Sequence, residues 1–220
     1  MIKQAVIALA ALFFLTANSL AQEANHYDVA VSGGSVFTKQ SQGNGITQGA
    51  TIGADFIVTG RIRFNPKHSL AFNYGHTRNS QTYQESVDFH VLETINEISG
   101  AYVFNPFQKG RWQPFALAGV GALVFSPSST WVFLPEVNNE PNNVQTNVGA
   151  KRQTEVGFLY GFGVDYAIPH VSHLALRLQY RGFLYRNPDF NVNPGTSTVT
   201  FYTDTRGHMA EPSIGLVFRF

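Results

Sequence analysis

The chain has 220 residues, of which 13% are charged and 14% aromatic, with a formal net charge of +1. Such a balance leaves no electrostatic footprint for nucleic acid. There is no cysteine, which excludes a disulfide framework and a lipid-modified cysteine behind a leader.

Met1-Ile-Lys3 is a short basic start, Ala5–Leu15 a continuous apolar run, and Ser19-Leu-Ala21 a small-residue cleavage pattern. That layout predicts a signal peptide over 1–21, because the run is too short for a spanning helix. Residues 22–220 are then one domain.

The first strand is expected at Tyr27–Phe37, with Val29 and Val31 on one face and Asp28, Ala30 and Ser32 on the other. Lys39–Gln48 reads as a polar loop, and Gln48–Phe64 as a second strand. In that strand Ile52, Ala54, Phe56, Val58, Ile62 and Phe64 oppose Asp55, Thr59, Arg61 and Arg63. After an Asn65–His68 turn, the third strand (Ser69–Asn79) sets Leu70, Phe72 and Tyr74 against Asn73 and Thr77, and Ser80–Asp88 reads as a loop. The fourth strand (Phe89–Phe104) sets Leu92, Ile98, Tyr102 and Phe104 against Glu93, Glu97 and Ser99.

The fifth strand (Trp112–Phe125) is apolar on both rows. Phe115, Leu117, Leu123 and Phe125 alternate with Ala116, Ala118, Val120 and Val124, and the small row is taken as the inner one. Ser126–Ala150 is a long irregular stretch rich in Ser, Pro and Asn. The sixth strand (Lys151–Ile168) alternates Val156, Phe158, Tyr160, Phe162, Val164 and Tyr166 with Glu155, Gly157, Gly161, Gly163 and Asp165. The seventh (His173–Arg186) opposes Leu174, Leu176, Leu178 and Tyr180 to Arg177, Gln179 and Arg181. After a loop over 187–204, the eighth (Thr205–Phe220) ends on Ile214, Leu216, Phe218 and Phe220 at every second position.

Connections alternate long and short, and several strands exceed the five or six residues usual in soluble proteins, reaching the nine to eleven of a tilted membrane span. Charges collect on one row: Asp28, Asp55, Arg61, Arg63, Glu93, Glu97, Glu155, Asp165, Arg177, Arg181, Glu211 and Arg219. A soluble barrel would be apolar inside and polar outside; here the polarity is reversed, as lipid demands. The fold class expected is all-β, an antiparallel up-and-down transmembrane barrel of about eight strands. Its interior is just wide enough for side chains to fill. Asp55, Arg61, Arg63, Glu93, Glu97, Glu155, Asp165, Arg177, Arg181 and Glu211 should therefore form a network in the lumen. Phe64, Phe104, Trp112, Tyr166, Tyr180 and Phe220 are expected in interface girdles.

The phrases Phe115-Ala-Leu-Ala-Gly119, Leu159-Tyr-Gly-Phe-Gly-Val-Asp-Tyr166 and Glu211-Pro-Ser-Ile-Gly-Leu216 and the terminal Phe220 resemble those of the small bacterial outer-membrane β-barrels. That superfamily includes the OmpA transmembrane domain, OmpX and OmpW-like proteins. The resemblance implies an outer-membrane location, short periplasmic turns, longer extracellular loops, and Phe218 and Phe220 as an assembly signal read by the barrel-assembly machinery. No cofactor and no metal are expected. The function expected is structural or surface-interacting and non-enzymatic, with outer-membrane lipid as surroundings and loop 126–150 as contact for small solutes or extracellular ligands. A narrow channel for ions or small solutes is the alternative. A lipid A-modifying enzyme is disfavoured because His208 alternates out of phase with Glu211 and Ser213. The turn histidines His26, His68, His170 and His173 match no metal spacing.

Overall fold

The computed structural model describes residues 26–84, 88–133, 143–144, 150–171, 173–190 and 203–220. The expected signal peptide and much of loop 126–150 and of the 187–204 connection lie outside the described residues. Eight long strands are present: β1 (Tyr27–Thr38), β2 (Gly53–Asn65), β3 (His68–Gln84), β4 (Asp88–Phe104), β5 (Trp112–Phe133), β6 (Gln153–Ala167), β7 (Leu174–Arg186) and β8 (Arg206–Arg219). Each pairs antiparallel with the next. β8 returns to pair with β1, Asp28 opposite Arg219 and Val31 opposite Leu216, so the sheet closes. The seam ends on Phe220, whose N–H donates to Tyr27 O at 2.9 Å.

Short connections gather at the end where β1 begins and β8 finishes, called here the turn end. Asn65 makes the tightest of them: its Oδ1 accepts from the N–H groups of Lys67 and His68, each at 2.9 Å, the side-chain-closed turn that Asn favours. A second reversal uses Gly110 at φ 59°, where Lys109 and Trp112 exchange two 3.1 Å backbone bonds.

Three boundaries differ from the sequence expectation. Lys39–Gln48 is not simply a loop: Ser41–Gly43 and Ile46–Ala50 form a small hairpin. Asn44 and Gly45 turn it at φ 52° and 79°, the doubly left-handed pair for which Asn-Gly is favoured. The residues from Gln48 to Ala50 belong to this hairpin rather than to β2, and pair with 81–83. The expected loop at Ser80–Asp88 is largely strand, since β3 runs to Gln84 and β4 starts at Asp88. β5 likewise extends to Phe133, into the stretch read as irregular.

Strand phase decides what each row meets. Phe72, Ile98, Phe162 and Leu178 are each more than half exposed, whereas Arg61, Arg177 and Arg181 are at most 2% exposed. An aqueous surface does not carry a continuous apolar belt of this size, and an isolated charge turned to lipid at mid-depth costs about 2–4 kcal/mol. The barrel therefore spans a membrane. Phe64, Phe104, Trp112 and Tyr166 lie on the outer row near the turn end, with the rings of Trp112 and Tyr166 4.7 Å apart. Tyr180 does not lie near a strand end as expected. It sits in mid-β7 against Phe162, at 5.4 Å.

The phase of β5 is the reverse of the expectation. Phe115, Leu117, Leu123 and Phe125 are buried in the lumen, and Ala116, Ala118 and Val120 face outward. The large residues turn inward because the opposing strand leaves room. A Cβ on Gly163 would stand 2.5 Å from Phe115 Cζ, and one on Gly161 3.4 Å from Leu117 Cδ1.

Candidate functional site

Inside the barrel the polar side chains sort into layers. At the turn end Asp28 and Asp165 hold four arginines. Arg177 grips Asp165 with two parallel bonds, Nε at 2.7 Å and Nη2 at 2.9 Å. Arg63 donates twice to Asp28 Oδ2, at 3.1 and 2.8 Å. Arg61 stands further off, 3.9 Å from Asp28 and 3.6 Å from Asp165, and Arg219 lies 3.8 Å from Asp165. Register makes this meeting possible: Asp28 is opposite both Arg61 and Arg219, and Arg177 is opposite Asp165. The Phe115 ring lies against the cluster, its centroid 4.8 Å from Arg61 Cζ and 5.2 Å from Arg177 Cζ, within cation–π reach.

Beyond Phe115 a chain of neutral groups crosses the wall. Thr59 donates to Asn73 at 2.8 Å, Asn73 to Ser99 at 2.9 Å, and Ser99 to Glu97 at 2.5 Å. Glu97 and Glu211 then converge on Arg181 from opposite sides of the lumen, Arg181 Nε reaching Glu211 at 3.0 Å and Nη2 reaching both carboxylates. Asp55 is buried within electrostatic range of the same three groups. Gly75 makes the space for Glu97, since a Cβ there would stand 2.8 Å from Glu97 Oε2.

The loop-end half is different. Ile95, Leu123, Phe125, Phe183, Tyr185, Phe190 and Met209 are buried together in one apolar cluster. Phe125 packs on Tyr185 at 5.6 Å and edge-on to Phe190 at 6.3 Å. Phe183 caps the charged layer, 5.8 Å from Arg181 Cζ. The apolar residues continue what the charges begin: they fill a lumen too narrow to leave unfilled.

The ten residues expected in one network thus divide. Arg61, Arg63, Asp165 and Arg177 meet at the turn end. Asp55, Glu97, Arg181 and Glu211 meet at mid-lumen. Glu93 stands apart, accepting from Gln81 at 2.8 Å, and so does Glu155, accepting from Gln153 at 2.9 Å near the rim. The sequence reading put Asp28 and Arg219 on the inward row but left them out of the network that they join. It missed the apolar lumen residues Phe183, Tyr185, Leu159 and Ile57, which share strand rows with charges and could have been found by carrying each row to its end. His208, Glu211 and Ser213 do not converge. His208 lies on the outer row with Tyr160 Oη at 2.5 Å, whereas Glu211 and Ser213 are buried inside.

A closed eight-stranded barrel with an apolar outer belt and charges confined to its interior is a small transmembrane β-barrel protein of the bacterial outer membrane. Residues 7–203 match the family model described as outer membrane protein beta-barrel domain, and the chain belongs to that family. Among solved structures it is similar to Neisserial surface protein A, at 17% identity over 90% of this chain and 100% of that one, with a TM-score of 0.53. It is also similar to the outer membrane protein OprG from Pseudomonas aeruginosa, at 13% identity over 90% and 98%, with a TM-score of 0.52. At these identities the likeness is one of fold. No curated protein sequence matches the chain.

Proposed function

We propose that this protein is a non-enzymatic outer-membrane barrel with a closed lumen, exported by a signal peptide at 1–21. Its working surface is the loop end, with the part of loop 126–150 that follows β5 as the contact for extracellular ligands. One observation carries this reading: Leu123, Phe125, Phe183 and Tyr185 are all buried, at 3% exposure or less, and belong to one apolar cluster in the loop-end half of the lumen. A path for ions needs continuous polar lining, and the buried side chains of Leu123, Phe125 and Phe183 interrupt it. The charged layer supports the same reading, because Arg181 ties β4 to β8 through Glu97 and Glu211. Against an enzyme stands the divergence of His208 from Glu211 and Ser213, so that these three residues do not form a nucleophile–base set.

The alternative is a narrow channel, and single-channel recording separates the two. The mature protein is refolded, its folded state is verified by heat-modifiable gel mobility, and it is inserted in a planar bilayer beside an Arg177→Ala, Arg181→Ala variant. The closed barrel is expected to give no steady openings. Openings in the parent whose size or ion selectivity changes in the variant would establish the channel instead.

A further inference from the structure

The turn-end cluster is unbalanced. Among the side chains of the described residues, Arg61, Arg63, Arg177 and Arg219 share only Asp28 and Asp165, an excess of two positive side-chain charges. The mid-lumen layer has the opposite composition, one arginine, Arg181, among three carboxyl groups, Asp55, Glu97 and Glu211. It begins about four residues, roughly 13 Å, further along β7, behind Phe115 and the Thr59–Asn73–Ser99 chain. At that separation its attraction is a fraction of what a contact would give.

The excess is also poorly hydrogen-bonded. Arg61 Nε and Nη1 and Arg219 Nε and Nη2 are buried and donate to no described group within hydrogen-bond distance. The cluster is not sealed: the side chains of Arg63 and Arg219 are 19% and 8% exposed, against 1% for Arg61 and Arg177. Arg63 and Arg219 therefore form the mouth, and Phe115 with the guanidinium groups of Arg61 and Arg177 forms the floor. A low-dielectric wall around a surplus of guanidinium groups concentrates positive potential at such a mouth, and guanidinium is the side chain suited to oxyanions and other compact anions.

We infer that the turn end of the lumen, at the mouth formed by Arg63 and Arg219, is a binding seat for a small inorganic anion. The seat is a dead end, since the neutral chain and the carboxylate layer lie beyond it. It is a property of the barrel separate from any ligand of the loops.

The test uses the refolded protein in a neutral detergent at constant ionic strength, with gluconate, a bulky and weakly coordinating anion, replaced stepwise by chloride or by phosphate. Thermal unfolding is followed by gel mobility. Binding to the folded state alone raises the midpoint in a saturable way, here by about 5 °C. The Arg63→Gln, Arg219→Gln variant removes the excess, so its midpoint should no longer respond to the anion and should equal or exceed the parent's in gluconate. Arg219→Gln alone should respond less than the parent and serves if the double variant does not fold. Whichever of chloride or phosphate acts at lower concentration identifies the seat as one for a halide or an oxyanion. A parent whose midpoint is the same in all three anions, or a variant that responds as the parent does, would overturn the inference.

Discussion

Phe115 and Gly163 are direct cross-strand partners, and the phenyl ring occupies the space that a side chain on residue 163 would need. An added Cβ would stand 2.5 Å from Phe115 Cζ and 2.6 Å from Leu178 O. Gly163→Ala is expected to destabilise the barrel by about 1–3 kcal/mol, the usual cost of overpacking, measured as a shift in the urea midpoint of refolding in lipid vesicles. Adding Phe115→Leu should recover part of that loss, because the ring yields while the Leu178 carbonyl does not. Independent, additive losses would show that the ring and the glycine are not coupled.

Arg181 is the sole cation directly bonded to Glu97 and Glu211 among the described residues. Arg181→Ala should cost about 3–5 kcal/mol, since it strands buried carboxylates without a partner. The triple change Arg181→Met, Glu97→Gln, Glu211→Gln should recover most of the loss, as replacing a whole buried ion cluster is often close to neutral. A triple variant as unstable as the single one would mean that the charges themselves, and not their balance, hold the strands together.

The apolar layer of the loop-end half can be breached on purpose. Phe125→Ser with Tyr185→Ser puts two hydroxyl groups and new space where two packed rings lie 5.6 Å apart. Planar-bilayer recording should then show openings that the parent lacks. A silent variant, with its fold verified by gel mobility, would place the barrier elsewhere, at the Arg181 layer or at Phe115.

Phe220 pairs through its backbone with Tyr27 at the barrel seam. Phe220→Ala keeps those bonds and removes only the ring. If the ring is an assembly signal, the variant should refold in detergent with nearly the parent's midpoint yet reach the outer membrane several-fold less abundantly. Immunoblotting of membrane fractions measures this, and equal levels would dismiss the signal role.

The all-β class, the eight strands and the inward direction of Asp28, Asp55, Arg61, Glu97, Arg177, Arg181 and Glu211 were legible from alternation alone. A one-residue slip would carry every one of these charges into lipid, so the pattern tolerates a single phase. The same logic says little where both rows are apolar. β5 offered no charge to settle its phase, although Trp112 on the outer row already implied that Phe115, three residues on, faces inward. The hairpin at Ser41–Ala50 was also within reach of the sequence through Asn44-Gly45. What the sequence could not determine is which charges meet. Asp28 lies 137 residues from Asp165 by the chain numbering, and the two share Arg61 and Arg177 only because barrel closure brings β1, β2, β6 and β7 around one narrow lumen. Register and closure are collective properties of eight strands. They therefore decided the division of one row of charges into an arginine-rich end and a carboxylate-rich middle, and the meeting of apolar side chains in the half of the lumen beyond.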